Sequence, residues 1–373
     1  MKNSKKLLLF FVCVMTIGCH KEADKHYFNG EIKLVDDTQN VTELSSDRIF
    51  LEGAFFGYPS VCDSLIIFWN PSLPGAYFSI FNLNTGEYMG DFCKKGSGPE
   101  EFSTLPLIFR FYKENGAIKT MLFAPNEEKL LLWNITESVE KRITVYDSVI
   151  SYKWEKENIS RSYVFMFRLE KDTMLAYVPS RSLTIDDGIA TLPFYQKRTI
   201  YTNKLIRNYD IYKASVRSNA DENFAPNFFL SSFDCIKPDG SKIVQGMIYL
   251  AQINIIDIET GQITGYRIKN TPDFSFFKTD KPNLKGYYTR IQADDEYIYA
   301  LYSGEYIESR SSSSSPQPHI IHVFDWEGNL KRKLELDHPT RDISLDHVNN
   351  ILYTMDVEAE EVYSYDLNKL NFK

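Results

Sequence analysis

Along most of this chain apolar and polar residues alternate in short runs, broken by turn formers rather than by helix caps. "YFSIFNLNTGEYMGDF" (77–92), "INIIDIETGQITGYRI" (253–268) and "IHVFDWEGNLKRKLEL" (321–336) share one order. Each has an alternating strand ending in Asn or Asp, a turn with Gly, and a second strand. That order is a hairpin signal, because a period of two marks a half-buried strand and Asn, Asp and Gly supply the turn. Weaker copies are "LLLWNITESVEKRITV" (130–145), "RTIYTNKLIRNYDIY" (198–212) and "EVYSYDLNKLNFK" (361–373). The strand-ending residues are Asn82, Asn134, Thr202, Asp257, Asp325 and Asp366, at intervals of 41 to 68 residues.

A second series of strand pairs runs ahead of the first. Its members are 58–69, 108–124, 165–178, 232–246, 287–302 and 339–356. Two of them, "YYTRIQADDEYIYALY" and "PTRDISLDHVNNILYTMD", place Thr-Arg before an apolar strand and an acidic turn. Together the two series predict six units of four strands, an all-β six-bladed propeller of antiparallel blades. "GEIKLVDD" (30–37) is a lone strand before the first blade, and the chain ends close to its last strand. We therefore expect the N-terminal strand to complete the last blade and close the ring, which hides two open sheet edges. The Ser-rich "SRSSSSSPQP" (309–318) reads as a loop insertion within one blade.

Composition supports β structure. Hydrophobic residues make up 43% of the 373 and aromatic ones 14%, and aromatic side chains fit pleated, half-buried surfaces. The net charge of −8 deepens once Lys2, Lys5 and Lys6 are removed with a leader. Nucleic acid is excluded as a partner, since binding it depends on neutralising phosphate.

The leader is residues 1–18. A lysine-bearing start precedes an apolar run, Leu7 to Ile17, of 11 residues. This suits a signal peptide and falls short of the roughly 20 residues of a membrane-spanning helix. Thr16-Ile17-Gly18-Cys19 resembles a bacterial lipobox, which implies lipidation at Cys19 and a membrane anchor without a spanning helix. Residues 19–29 are then expected to be a polar lipidated tether, and 30–373 a single propeller domain. The address is the bacterial cell envelope, as an outer-membrane lipoprotein facing the periplasm or the surface. Cys62, Cys93 and Cys235 remain in the body. An odd number cannot all pair within one chain, and their wide spacing is not that of metal ligands.

"GDFCKKGSGPEEF" (90–102) invites a phosphate-loop reading. A phosphate loop needs G-x-x-x-x-G-K-[ST] and a following helix, and neither is present. Gly96-Ser97-Gly98-Pro99-Glu100-Glu101-Phe102 instead resembles the G-x-G-P-G-E-F turn of TolB-like six-bladed propeller lipoproteins of the Bacteroidetes, with Glu100 in place of a glycine. NHL-repeat propellers share a similar turn. The resemblance implies an architecture and an address rather than an activity. We expect Gly96, Gly98 and Pro99 to shape the passage between two blades and Phe102 to anchor it.

No catalytic set stands out. G-x-S-x-G and H-E-x-x-H are absent. His319 and His322 fall on opposite faces of one strand, and the histidines are expected at exposed or turn positions, so no metal site is assigned. Asp294-Asp295-Glu296 and Glu358/Glu360/Glu361 are the candidates for calcium, with solvated turns as the simpler reading; no cofactor is expected. Arg110, Arg168, Arg290 and Arg341 take similar places near the start of four inner strands. In a propeller such positions can ring the central channel and attract an anion. The alternative is that they lie between blades and pair with acids such as Asp342. These features favour a lipid-anchored module that binds a glycan, peptide or partner protein over an enzyme. A metal-assisted lactonase or lyase at the channel is the alternative.

Overall fold

The structure is a computed structural model that describes residues 22–53, 55–104, 110–124, 127–151, 165–170, 172–179, 192–216, 227–278, 284–306, 318–356 and 361–370. Its strands form six sheets. The first three strands, β1 (Glu31–Val35), β2 (Val41–Leu44) and β3 (Asp47–Ile49), go to three different sheets. Blade 1 follows, with β4 (Tyr58–Cys62), β5 (Leu65–Trp69), β6 (Ala76–Asn82) and β7 (Tyr88–Lys94). Blade 2 has β8 (Phe111–Glu114), β9 (Ala117–Ala124), β10 (Lys129–Asn134) and β11 (Tyr146–Ser151). Blade 3 has β12 (Met166–Arg168), β13 (Thr173–Val178), β14 (Phe194–Thr199) and β15 (Leu205–Asp210). Blade 4 has β16 (Ser232–Ile236), β17 (Lys242–Met247), β18 (Gln252–Asp257) and β19 (Ile263–Ile268). Blade 5 has β20 (Tyr288–Ala293), β21 (Tyr297–Tyr302), β22 (Ile320–Asp325) and β23 (Leu330–Leu336). Blade 6 has β24 (Asp342–Asp346), β25 (Ile351–Asp356) and β26 (Glu361–Asp366), with β3 as its fourth strand.

The core is divided among the blade interfaces. One cluster joins blades 1 and 2 around Phe78, Phe92, Phe102 and Trp133. Others lie between blades 2 and 3, 3 and 4, 4 and 5, and 5 and 6. The sixth, with Phe68 and Phe81 facing Tyr353 and Met355, seals blade 6 to blade 1. A blade is therefore buried on both faces. This is why β5 (LIIFW) and β10 (KLLLWN) are buried at every position, while the outer strand β11 alternates.

In the three strongest repeats the strand-ending residue is the acceptor that turns the chain. Asn82 Oδ1 takes the N–H groups of Asn84 and Thr85 at 2.9 and 3.1 Å. Asp257 Oδ1 takes that of Thr260 at 2.7 Å, and Asp325 Oδ1 those of Glu327 and Asn329 at 3.1 and 2.8 Å. Gly86, Gly261 and Gly328 follow at φ between +77° and +80°. The side chain replaces a backbone acceptor and the glycine takes the left-handed turn, so one pattern recurs with one geometry.

The N-terminal segment closes the ring, but not through residues 30–37. β3 pairs antiparallel with β26 and completes blade 6. β1 runs parallel to β19 as a fifth strand of blade 4, and β2 runs parallel to β23 as a fifth strand of blade 5. The segment is thus a belt around three successive blades. Two further expectations change. In "EVYSYDLNKLNFK" the described residues form no hairpin: β26 is followed by a 3₁₀ turn, Leu367–Lys369, and pairs on its free edge with β3. In "LLLWNITESVEKRITV" the turn is a helix, Ile135–Lys141, capped by Asn134, whose side chain accepts from Glu137 N at 3.1 Å. Residues 22–27 are helical and do not form a free tether, because Ala23, Tyr27 and Phe28 are buried in the core between blades 3 and 4. Cys19 and residues 309–317 of the Ser-rich loop lie outside the described residues.

Candidate functional site at the channel mouth

The innermost strands of the blades are β4, β8, β12, β16, β20 and β24. On β4, Tyr58 and Ser60 share one face; on β20, Arg290 and Gln292 share one. These four, with Arg110 just before β8, Phe233 on β16 and Asp342 at the start of β24, line one pocket, and Trp69 closes its wall. Five of the six blades contribute, so the pocket is the mouth of the central channel.

Arg290 is its best-defined member. Its Nε lies 3.0 Å from Asp342 Oδ1 and its Nη1 donates to Thr289 O at 2.7 Å. Its guanidinium sits 4.5 Å from the Phe233 ring centre and 5.9 Å from that of Tyr58. Arg110 donates to the backbone carbonyl of Asp234 and lies 5.5 Å from the Phe167 ring centre. Asp342 is buried, which raises its pKa, while Arg290 beside it favours the carboxylate. Two guanidinium groups thus share the mouth with one carboxylate. The aromatic rings lower the local dielectric and strengthen each charge contact.

The four arginines named from the sequence separate. Arg110 and Arg290 meet at the pocket. Arg168 ends β12 and pairs with Glu114 at 3.2 Å and Asp172 at 3.4 Å. Glu114 ends β8, so Arg168 sits about 13 Å of strand away from the level of Arg110. Arg341 is exposed before β24. Asp342, weighed as an alternative partner, pairs with Arg290 while both face the pocket. Tyr58, Trp69 and Phe233 were not singled out, since nothing local distinguishes a channel aromatic from a core one.

Behind Arg110 lies a polar chain that the sequence hid. Asp234 on β16 is fully buried and accepts from the Tyr195 hydroxyl and from Gln245 Nε2 at 3.4 Å. Burial pushes its pKa up to about 6, against the pull of the hydrogen bonds around it and of Arg110. Gln245 Oε1 accepts from Asn254 at 3.4 Å, Asn254 Oδ1 from Gln252 at 2.6 Å, and Gln252 Oε1 from Arg267 Nε at 2.9 Å. Arg267 then reaches Asp24 in the N-terminal turn. The chain crosses blade 4 from its innermost strand to the docked N-terminus. A Cβ on Gly265 would fall 2.9 Å from Gln252 Nε2, so a larger residue there would push these amides out of line. The one local signal was three amides, Gln245, Gln252 and Asn254, inside otherwise apolar strands.

The glycine-rich stretch forms the passage from blade 1 to blade 2. Gly96 N donates to Phe102 O at 3.0 Å, and Phe102 is fully buried in the core between the two blades. Gly98 N donates to Glu101 Oε2 at 2.9 Å. A Cβ on Gly96, at φ +154°, would lie 2.0 Å from that oxygen. Buried Lys129 donates to the carbonyls of Pro99 and Glu101 at 2.7 and 3.1 Å, with Gly98 O at 3.4 Å.

His322 is the exception to the expected exposed histidines. It is buried beside Tyr288 and stacks on Tyr302 at 4.3 Å, and burial lowers its pKa to about 4. His319 lies 3.6 Å from Glu335. Asp294 caps a turn, taking the N–H groups of Glu296 and Tyr297 at 2.7 and 2.6 Å and the Tyr299 hydroxyl at 3.0 Å. Glu358 and Glu360 lie outside the described residues. Among the described residues no group of three or more His, Cys, Asp or Glu is arranged to hold a metal. Cys62, Cys93 and Cys235 are free thiols.

Six radial sheets, each built on four antiparallel strands with the inner strands around a channel, define a six-bladed β-propeller. Residues 246–348 match the family model described as TolB-like 6-blade propeller-like, in agreement with the resemblance read from the Gly96–Phe102 turn. Among solved structures, the chain is similar to a member of the duf4221 family from Bacteroides vulgatus at 10% identity and a TM-score of 0.54, covering 88% of this chain and 97% of that one. It is also similar to a protein of Bacteroides fragilis described as exported, at 11% identity and a TM-score of 0.50, covering 90% and 98%. At these identities the likeness is one of fold. No curated protein matches the chain.

Proposed function

We propose that this protein is a lipid-anchored binding module of the bacterial cell envelope whose ligand site is the mouth of the propeller channel. The observation that carries the reading is the convergence of Arg110 and Arg290 on one aromatic-walled pocket built from five blades. Convergent polar groups in a concave site on a rigid frame suit recognition of a glycan, a peptide or a protein partner. Anchoring rests on residues 1–18 and Cys19. It gains support from the docked helical turn at 22–27, which leaves a short stretch between the lipid and the folded body. No helix among the described residues is long and apolar enough to cross a membrane. The TolB-like family match and the exported relative of similar fold agree with an envelope address.

Two measurements test the reading. A palmitate analogue fed to expressing cells should label the protein and fail to label Cys19→Ala; equal labelling of both rejects the anchor. Benzoate, a small carboxylate with an aromatic ring, should raise the melting temperature of the purified protein and not that of Arg110→Gln. An equal rise in both moves the site away from the channel.

A further inference from the structure

The channel mouth carries enough chemistry to name a ligand class, on the premise that it is the ligand site. Arg110 and Arg290 bring two positive charges to the lining and Asp342 one negative charge, with the buried Asp234 behind Arg110. A singly charged anion can meet both guanidinium groups, whereas a phosphate dianion would face stronger repulsion from the Asp342 carboxylate. The cavity encloses about 60 Å³, so a carboxylate-sized group enters it and the body that bears the group stays at the open rim.

The rest of the lining says what the carboxylate is attached to. Tyr58 stands at the rim, 43% exposed, with its ring 5.6 Å from Trp69. An aromatic face at a wet rim takes the C–H face of a saturated chair-shaped ring. Around it stand an acceptor, Asp342, a hydroxyl, Ser60, and an amide, Gln292, which gives one N–H to Ile343 O at 3.0 Å. Mixed donors and acceptors on side chains suit several hydroxyl groups, each of which both donates and accepts. A peptide C-terminus offers a single amide N–H beside its carboxylate and leaves those groups unmatched.

We propose that the channel mouth binds an acidic sugar, with its carboxylate between Arg110 and Arg290, its hydroxyls on Asp342 and Ser60, and its ring against Tyr58. The site is then an end-group reader for uronic-acid saccharides, holding one acidic residue and leaving the rest of the saccharide outside.

The test uses the mature chain with Cys19→Ser for solubility and isothermal titration calorimetry at low salt. The probes are a galacturonic-acid trisaccharide, its methyl ester, a sulfated galactose and an N-acyl phenylalanine carrying a peptide-type carboxylate. The free acid should bind about tenfold or more tighter than the ester, the value of one charge-assisted contact. Arg110→Gln should lose a similar factor. So should Arg290→Gln/Asp342→Asn, which removes the ion pair without leaving a buried charge alone. Tyr58→Ala should weaken the sugar acid and leave the urea midpoint in place. Equal binding of acid and ester, or tighter binding of the sulfated sugar, overturns the carboxylate. Tighter binding of N-acyl phenylalanine, lost in Arg110→Gln, overturns the sugar while leaving the channel as the site. Failure of all four probes overturns both.

Discussion

Arg267 and Asp24, 243 positions apart, form a bidentate ion pair, with Nη1 and Nη2 at 3.0 and 2.8 Å from the two carboxylate oxygens. Arg267 is 3% exposed and lies 5.4 Å from the Phe274 ring centre. The pair ends the polar chain across blade 4 and pins the N-terminal turn where the belt begins.

The pair should hold the belt in place. Arg267→Met leaves the half-buried Asp24 and the Gln252 carbonyl without their donor, at a cost of about 2–3 kcal/mol. Asp24→Asn should cost less, since its amide still offers one acceptor. Urea denaturation reads the loss. Limited proteolysis should cut the Arg267→Met protein first within residues 30–50, where β1, β2 and β3 lie. If cleavage begins elsewhere, the pair does not govern the belt.

Lys129 is the fastener of the blade 1 to blade 2 passage. It is 7% exposed and gives its ammonium to main-chain carbonyls of the Gly98–Glu101 turn. Lys129→Met keeps the stem and leaves those carbonyls short of a donor, at a cost of about 2–3 kcal/mol. Phe102→Ala empties a site in the core between the same blades and should cost about 3–5 kcal/mol. The two residues touch one turn, with Lys129 Nζ 5.7 Å from the Phe102 ring centre, so the double variant should lose less than the sum. Full additivity in urea melts would show that the turn is not one unit.

Asp234 and His322 should pull stability in opposite directions over the same pH window. Asp234 is raised to about 6 from an ordinary carboxylate value, so the folded state holds a proton that the unfolded state releases. Its contribution is complete below about pH 4 and is lost as pH rises through 6, a change of about 3 kcal/mol. His322 is lowered to about 4 from 6.5, so the folded state keeps it neutral. Its contribution is present above pH 6.5 and is lost as pH falls through 4, by a similar amount. Relative to the wild type, Asp234→Asn should therefore gain stability as pH rises from 4 to 6.5. His322→Gln should lose relative stability over the same rise. Parallel curves of urea midpoint against pH for all three proteins would reject both assignments.

The blade count was legible because the turn chemistry is local. Asn82, Asp257 and Asp325 each cap their own turn within a few residues, so the same letters recur wherever the same hairpin does. The short helix at Ile135–Lys141 was missed because its length is only about two turns of periodicity and its cap, Asn134, also reads as a hairpin residue. Of the candidate site, the arginines were legible as a series. Their fate was not: Arg168 differs from Arg290 only in where its strand ends and which acid stands opposite. Buried His322 was misread because period two gives a face and does not say that both faces of a blade are covered.

Alone, the order of amino acids decided what each short segment does: where strands run, where they turn, and that four-stranded units repeat six times. Those choices depend on neighbours a few positions apart. Which strand closes the ring, which two arginines meet, and how Asp24 comes to hold Arg267 were decided only by the closed ring. Each joins residues far apart in sequence, and no local pattern encodes a contact whose two halves are brought together by the curvature of the blades between them.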